Sequence, residues 1–284
     1  MKIAYQGEPG AFSEAAARRV AQDAPLVPCR SFEEVFAAVN GGESTHGVLP
    51  IENSIGGSIH RNYDLLLEHE LPIVGEVELV VVHHLLALPG ATLAGLKRVY
   101  SHPQGLAQCE RFLRTLSGVE IVATYDTAGS AKLIADAKMI DAAAIASARA
   151  GEVFGLKSLA ASVQDFDDNI TRFLIVGRGA LPHAIADKTT IVFSLPNEPG
   201  SLFKALSVFA LRGIDLTKLE SRPIPGRPWE YLFYVDLAAA HDELPCTRAL
   251  AHLGEFALSL RTLGSYASWK TRESRQPDPF EVVS

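Results

Sequence analysis

Ile3-Ala4-Tyr5-Gln6-Gly7-Glu8-Pro9-Gly10-Ala11-Phe12-Ser13 passes from a short apolar strand, through a loop of glycine and proline, into a helix reaching to about residue 21. A strand that hands through a small polar loop into a helix is the repeating unit of an α/β sheet. The device recurs at Glu52-Asn53-Ser54-Ile55-Gly56-Gly57-Ser58, Ser101-His102-Pro103-Gln104-Gly105 and Asp126-Thr127-Ala128-Gly129-Ser130. Around these, apolar runs at 27–29, 47–51, 73–88, 99–101, 120–124, 142–146 and 171–176 alternate with helical patterns at 59–68, 105–116, 128–137 and 147–154. Ser31 and Glu34 add a capping-box spacing ahead of Val35, Phe36 and Val39. The expectation is an α/β domain over residues 1–182 with a largely parallel sheet.

Residues 177–188 lose this periodicity and read as a linker, which puts a domain boundary near residue 183. Beyond it the order is strand (189–195), helix (202–212, with Gly213 closing it), strand (215–221), a Pro/Gly connection, strand (230–237), helix (247–263) and strand (266–269). That βαββαβ order predicts a ferredoxin-like sandwich over 188–270, followed by a mobile tail at 271–284. A length of 284 residues suits two such domains.

With 48% hydrophobic and 21% charged residues the chain can bury a substantial core, which excludes disordered and fibrous classes. The net charge of -7 argues against nucleic acid or an anionic membrane as partner. Any anionic ligand must then be held by local features. Cys29, Cys109 and Cys246 are widely spaced and read as buried small hydrophobes in a reducing, cytoplasmic setting, without disulfides or zinc. The run 79–96 lacks Asp, Glu, Lys and Arg, but His83, His84 and the Pro89-Gly90 turn interrupt it, so it reads as a buried strand and turn. The opening residues lack the apolar core of a signal peptide.

Each loop that opens a helix presents unpaired N–H groups and the positive end of the dipole, and several converging on one crevice would hold a small polyanion. Ordinary N-caps use the same residues, so one loop alone decides nothing. A second signal is Asp167-Asp168-Asn169-Ile170-Thr171-Arg172-Phe173, where strand alternation sends Thr171 and Phe173 to one face and Arg172 to the other. Arginine at a strand mouth can clamp a carboxylate, and the hydroxyl can protonate a departing oxygen. A plain strand with Arg172 paired to Asp167 or Asp168 explains the same residues. His83-His84 lacks a third ligand at a metal spacing, no Walker A or GxGxxG motif occurs, and no GxSxG elbow is present. What remains is acid catalysis and electrostatic positioning without a cofactor or metal.

Pro50-Ile51-Glu52-Asn53-Ser54 continuing through Gly56-Gly57-Ser58, then Ser101-His102-Pro103-Gln104, Thr171-Arg172-Phe173 and Glu220-Ser221-Arg222-Pro223, resemble the prephenate dehydratase family in order and over nearly the whole chain. The resemblance implies a two-lobed catalytic domain like a periplasmic binding protein, followed by a regulatory ACT domain. It implies loss of carbon dioxide and water from prephenate to give phenylpyruvate for phenylalanine synthesis. Thr171 would be the proton donor and Arg172 a substrate-binding residue, with Asn53, Ser54, Ser101, Gln104, Thr127 and Phe173 around the substrate. Phenylalanine would bind as an effector through Gly200, Ser201, Leu202, Glu220, Ser221 and Arg222. At the first of these segments this chain has Gly200-Ser201-Leu202-Phe203 where the family has G-A-L-V. The resemblance further implies a homodimer or homotetramer, and the pattern leaves no room for a mutase module.

The runs 58–67 and 203–211 are similar to plant arogenate dehydratases, so arogenate, which has an amino group in place of the keto group, is the alternative substrate. The absence of a transit-peptide pattern favours prephenate. An amino-acid sensor that binds without catalysis would explain the loops equally well, and the intact Thr171-Arg172-Phe173 argues against it.

Overall fold

In the computed structural model, which describes residues 1–181 and 185–273, the opening stretch forms β1 (Ile3–Gln6) and α1 (Phe12–Val20). There follow β2 (Leu26–Cys29), α2 (Phe32–Asn40), β3 (His46–Asn53), β4 (Gly57–Ser58), α3 (His60–Glu68) and β5 (Ile73–Val80). α2 starts where the capping pair predicts: the Ser31 side chain accepts from Glu34 N–H at 3.3 Å, while the Glu34 carboxylate reaches back to Arg30 N–H at 2.7 Å. β1 lies parallel to β2 and β3, with Ala4 opposite Val27 and Gly47. Burial of both faces explains the continuous apolar run of β3.

The second lobe contains β6 (His84–Ala87), β7 (Arg98–Ser101), α4 (Pro103–Ala107), α5 (Glu110–Leu113), β8 (Glu120–Ala123), α6 (Thr127–Asp136), β9 (Ala142–Ala146), α7 (Ala148–Phe154) and β10 (Lys157–Ala160). β11 (Ile170–Gly177) then returns to the first sheet, whose order is β2-β1-β3-β11-β5 with β4 paired to β3. The second sheet runs β10-β6-β9-β7-β8. Only its β9-β7 and β7-β8 pairs are parallel; β6 is antiparallel to both neighbours, so the largely parallel sheet expected here is mixed. β6 arrives from β5 of the other sheet through residues 81–83 and enters between β9 and β10, which are themselves joined through α7. Alanines at 128, 131, 142, 144, 146 and 150 let α6 and α7 pack close on this sheet.

Three further expectations are corrected. Helix 105–116 is two short helices, because Gln108 C=O accepts Asp165 N–H at 2.7 Å instead of serving the helical ladder, and the Asp165 carboxylate caps α5 at Arg111 N–H. The loop at 52–58 does not open a helix directly: Gly57–Ser58 doubles back on β3 as β4, and α3 begins at His60. β10 has no counterpart in the sequence reading.

The remaining chain forms β12 (Lys188–Ser194), α8 (Ser201–Ala210), β13 (Leu216–Pro223), β14 (Tyr231–Leu237), α9 (Leu244–Gly254), β15 (Ser259–Tyr266) and α10 (Trp269–Glu273). The antiparallel sheet β13-β14-β12-β15 has the ferredoxin-like order, with Ile191, Phe193, Val208, Phe209, Val235, Leu250 and Leu253 in its core. The helix expected over 247–263 ends at Gly254, and the last strand lies at 259–266 instead of 266–269. β12 is buried along nearly its whole length, so its backbone N–H and C=O groups need a partner strand on each edge. Residues 259–266 supply the second, with side-chain bonds from Ser259 to Ser194 and from Tyr266 to Thr190.

The chain divides into two units, residues 1–69 with 77–175, and residues 70–76 with 176 onward. Residues 70–76, expected in the first domain, are held in the second unit by the buried Lys188–Glu76 pair at 2.6 Å and by Trp269 N–H to Glu76 Oε1 at 3.0 Å. The boundary expected near residue 183 lies outside the described residues, as does the expected tail from 274; residues 271–273 belong to α10.

Candidate active site

The ends of β1, β2 and β3 and the start of β11 from one lobe and the starts of α4 and α6 from the other border a cleft of about 470 Å³ within the first unit. Asn53, Gln104, Thr127, Thr171 and Phe173 line it. As alternation requires, Thr171 and Phe173 face it and Arg172 is absent from the lining. The one guanidinium among the described lining residues is that of Arg30, at the end of β2.

Asn53, only 4% exposed, organises the floor. Its Oδ1 accepts the backbone N–H groups of Ile55 (3.1 Å) and Gly56 (2.7 Å), which fixes which end of the amide is oxygen. Nδ2 therefore points the other way, donating to Asn169 Oδ1 (2.7 Å) and Thr171 Oγ1 (2.9 Å). Since Thr171 Oγ1 already accepts a bond there, its own proton is available to be donated elsewhere. Gln108 extends the set: its Nε2 donates to Asn53 Oδ1 (3.1 Å), and its Oε1 faces Asn169 Nδ2 (3.0 Å) and His83 Nε2 (2.9 Å).

Gln108, Asn169 and His83 were missed in the sequence. Gln108 lies four residues after Gln104, a spacing that puts two amides on one helical side, and Asn169 lies inside the quoted stretch before Thr171. The sequence signal at His83-His84 is that of an incomplete metal site and carries no hint of a bond to Gln108.

Two expected residues make structural bonds outside the cleft lining. Ser54 Oγ donates to Asp168 C=O (2.7 Å) and accepts Ile170 N–H (2.9 Å), tying the β3–β4 turn to β11. Ser101 is fully buried and donates to Ile145 C=O at 2.7 Å. Its hydroxyl also lies 2.9 Å from where a Cβ on Gly105 would stand, so Gly105 keeps that turn close.

The helix starts are not equivalent. α4 is capped by His102 Nδ1 and α6 by the Asp126 carboxylate, which spends part of each terminus on the protein's own acceptors. Ala11 gives α1 no side-chain cap, so Phe12 and Ser13 open that terminus to the cleft. Asp126 also accepts Glu8 N–H at 3.2 Å, and Ser147 Oγ donates to Gly10 C=O at 2.6 Å, so the second lobe holds the first loop. Burial raises the Asp126 carboxyl above its ordinary value of 3.8, opposed by the backbone N–H groups it accepts.

In the second unit Gly200 adopts φ +83° at the start of α8, followed by Ser201 and Leu202. Glu220, Ser221 and Arg222 lie on β13, an outer strand of that sheet, with Glu220 3.8 Å from Lys218.

Residues 3–180 match the family model for prephenate dehydratase, and residues 189–250 that for the ACT domain. Arogenate dehydratase/prephenate dehydratase 2 of Arabidopsis thaliana, a chloroplastic protein, is 51% identical over 277 residues, covering 94% of this chain and 72% of the relative. The crystal structure of prephenate dehydratase from Arthrobacter aurescens in complex with L-Phe superposes with TM-score 0.87 at 33% identity, over 95% of this chain and 91% of that one. GqqA, described as a novel type of quorum-quenching acylase, superposes with TM-score 0.85 at 36% identity, over 94% and 98%. The two-lobed first unit, the ferredoxin-like second and these matches agree: the chain belongs to the prephenate dehydratase family and carries an ACT domain.

Proposed function

We propose that the protein converts prephenate to phenylpyruvate, carbon dioxide and water. The observation that carries this reading is the Asn53–Thr171 bond, which leaves a hydroxyl proton free in a cleft with Arg30 at its edge. Arg30 and the uncapped start of α1 take a substrate carboxylate. As the ring C–O bond breaks, Thr171 gives its proton to the departing oxygen, and the electron pair of the lost carboxylate completes the aromatic ring. Asn53 Nδ2–H stabilises the charge growing on Thr171 Oγ1, which then regains a proton from solvent. Thr171→Val should lower kcat by about 100-fold or more with the fold intact, followed as phenylpyruvate formation; unchanged turnover would remove this role.

Arogenate is the second reading, supported by the relative named for both activities and by Asp126 and Glu33 in the cleft lining, where carboxylates suit an amino group. The measurement is kcat/KM on each substrate with the same preparation. We expect the higher value with prephenate; a large arogenate preference would reverse that choice. The ACT domain and the L-Phe complex of the relative support phenylalanine as effector, and the outer position of β13 supports pairing of two chains through this domain. Three buried free cysteines fit a reducing, cytoplasmic location.

A further inference from the structure

We infer that His83 is a positioning residue that sets the direction of the Thr171 proton through Gln108 and Asn53. The inference rests on the proposed role of Thr171. It starts from polarity. The N–H groups of Ile55 and Gly56 fix Asn53 Oδ1, so Gln108 must present Nε2 to it, and Gln108 Oε1 must then face His83 Nε2. An acceptor facing that ring nitrogen requires His83 to be the Nε2–H tautomer. Asn169 Nδ2 supplies the other donor to the same oxygen, so both bonds accepted by Gln108 Oε1 hold the amide in one orientation.

The other ring nitrogen shows that the imidazole is not retained for packing. His83 is 2% exposed, lies edge-on to Phe12 with ring centroids 5.4 Å apart, and its Nδ1 is buried without a hydrogen-bond partner. Such an atom costs stability, and a phenyl ring would fill the same space without it. What the phenyl ring would lack is the Nε2–H donor. Burial also holds the imidazole below its ordinary value of 6.5, which favours the neutral form. With His83 neutral and donating, the Gln108 amide has one stable setting. A Gln108 flip would set two oxygens against each other at Asn53, and Asn53 would lose part of what aims Nδ2 at Thr171.

The test compares His83→Phe, which fills the space without a donor, with His83→Gln, whose amide N–H reaches about as far as Nε2. His83→Phe should lower kcat about 10- to 100-fold while KM stays within about twofold. His83→Gln should recover most of the loss. Imidazole ¹⁵N NMR of the wild-type protein should show the neutral Nε2–H tautomer at neutral pH. Unchanged kcat in His83→Phe, equal loss in both variants when both fold, or an Nδ1–H tautomer would each overturn the proposal. If Thr171→Val keeps full turnover, the dehydration mechanism itself fails whatever the His83 variants do; the NMR result still reports the tautomer.

Discussion

In the proposed reaction Thr171, a side chain with no acidity of its own, becomes useful only through the atom next to it. A threonine hydroxyl can rotate, and in a strand it would ordinarily satisfy itself on nearby backbone or water. Here Asn53 occupies its acceptor side, and Asn53 is itself fixed by two backbone N–H groups, so the proton is steered by amide chemistry two residues removed. Arg30 shows the same locality for charge. A chain of net charge -7 needs only one guanidinium at the cleft edge to receive a carboxylate. Arg30→Ala should raise KM roughly tenfold, the worth of one charge-assisted bond, with kcat little changed; steady-state kinetics over a range of ionic strength checks this. Arg172, on the other face of β11, should show a smaller KM effect in the same assay.

Among the elements, the short pieces carry the most consequence. α4 stops after Ala107 because the Gln108 carbonyl is taken by Asp165, and that interruption turns the Gln108 side chain toward Asn53 instead of along a continuous helix. β4 does similar work by folding the 52–58 loop back on β3, which brings the Gly56 N–H to Asn53. At Gly56 the Gln104 amide lies where a Cβ would stand, so a larger residue there would displace the Gln104 side chain. In the second unit, residues 70–76 are tied to β12 by Glu76, 1% exposed, and Lys188. Lys188→Met would leave a buried carboxylate without its cation and should destabilise by about 3 kcal/mol, read from urea unfolding. Adding Glu76→Leu should return much of the loss, since an apolar pair does not strand a charge.

Across the whole molecule, the proposed catalytic and effector sites lie in separately cored units, so the effector response should be separable by mutation. Glu220→Ala and Arg222→Ala, both on β13, should shift phenylalanine inhibition to higher concentration while leaving uninhibited turnover near the wild-type rate; inhibition curves decide this. The α/β class, the ferredoxin-like order and the family motifs were all legible from the residues. Apolar periodicity and loop chemistry are local properties, and Ser31 with Glu34 or the stretch Asp167 to Phe173 carries them in a few neighbouring positions. The sequence could not reveal that 259–266 is a strand, because Leu260 and Leu263 suit a helix as well until β12 supplies a partner. Nor could it show that Ser101 is spent on Ile145 while Gln108 and His83 reach the floor of the cleft. Those assignments depend on which donors meet which acceptors across more than 20 residues of chain. Most of the elements and the whole chemical inventory are legible along the chain, while which polar groups are satisfied and which are left to act is settled by how the chain folds in space. A hydrogen bond depends on distance and direction in space, and neither is written in the spacing along the chain.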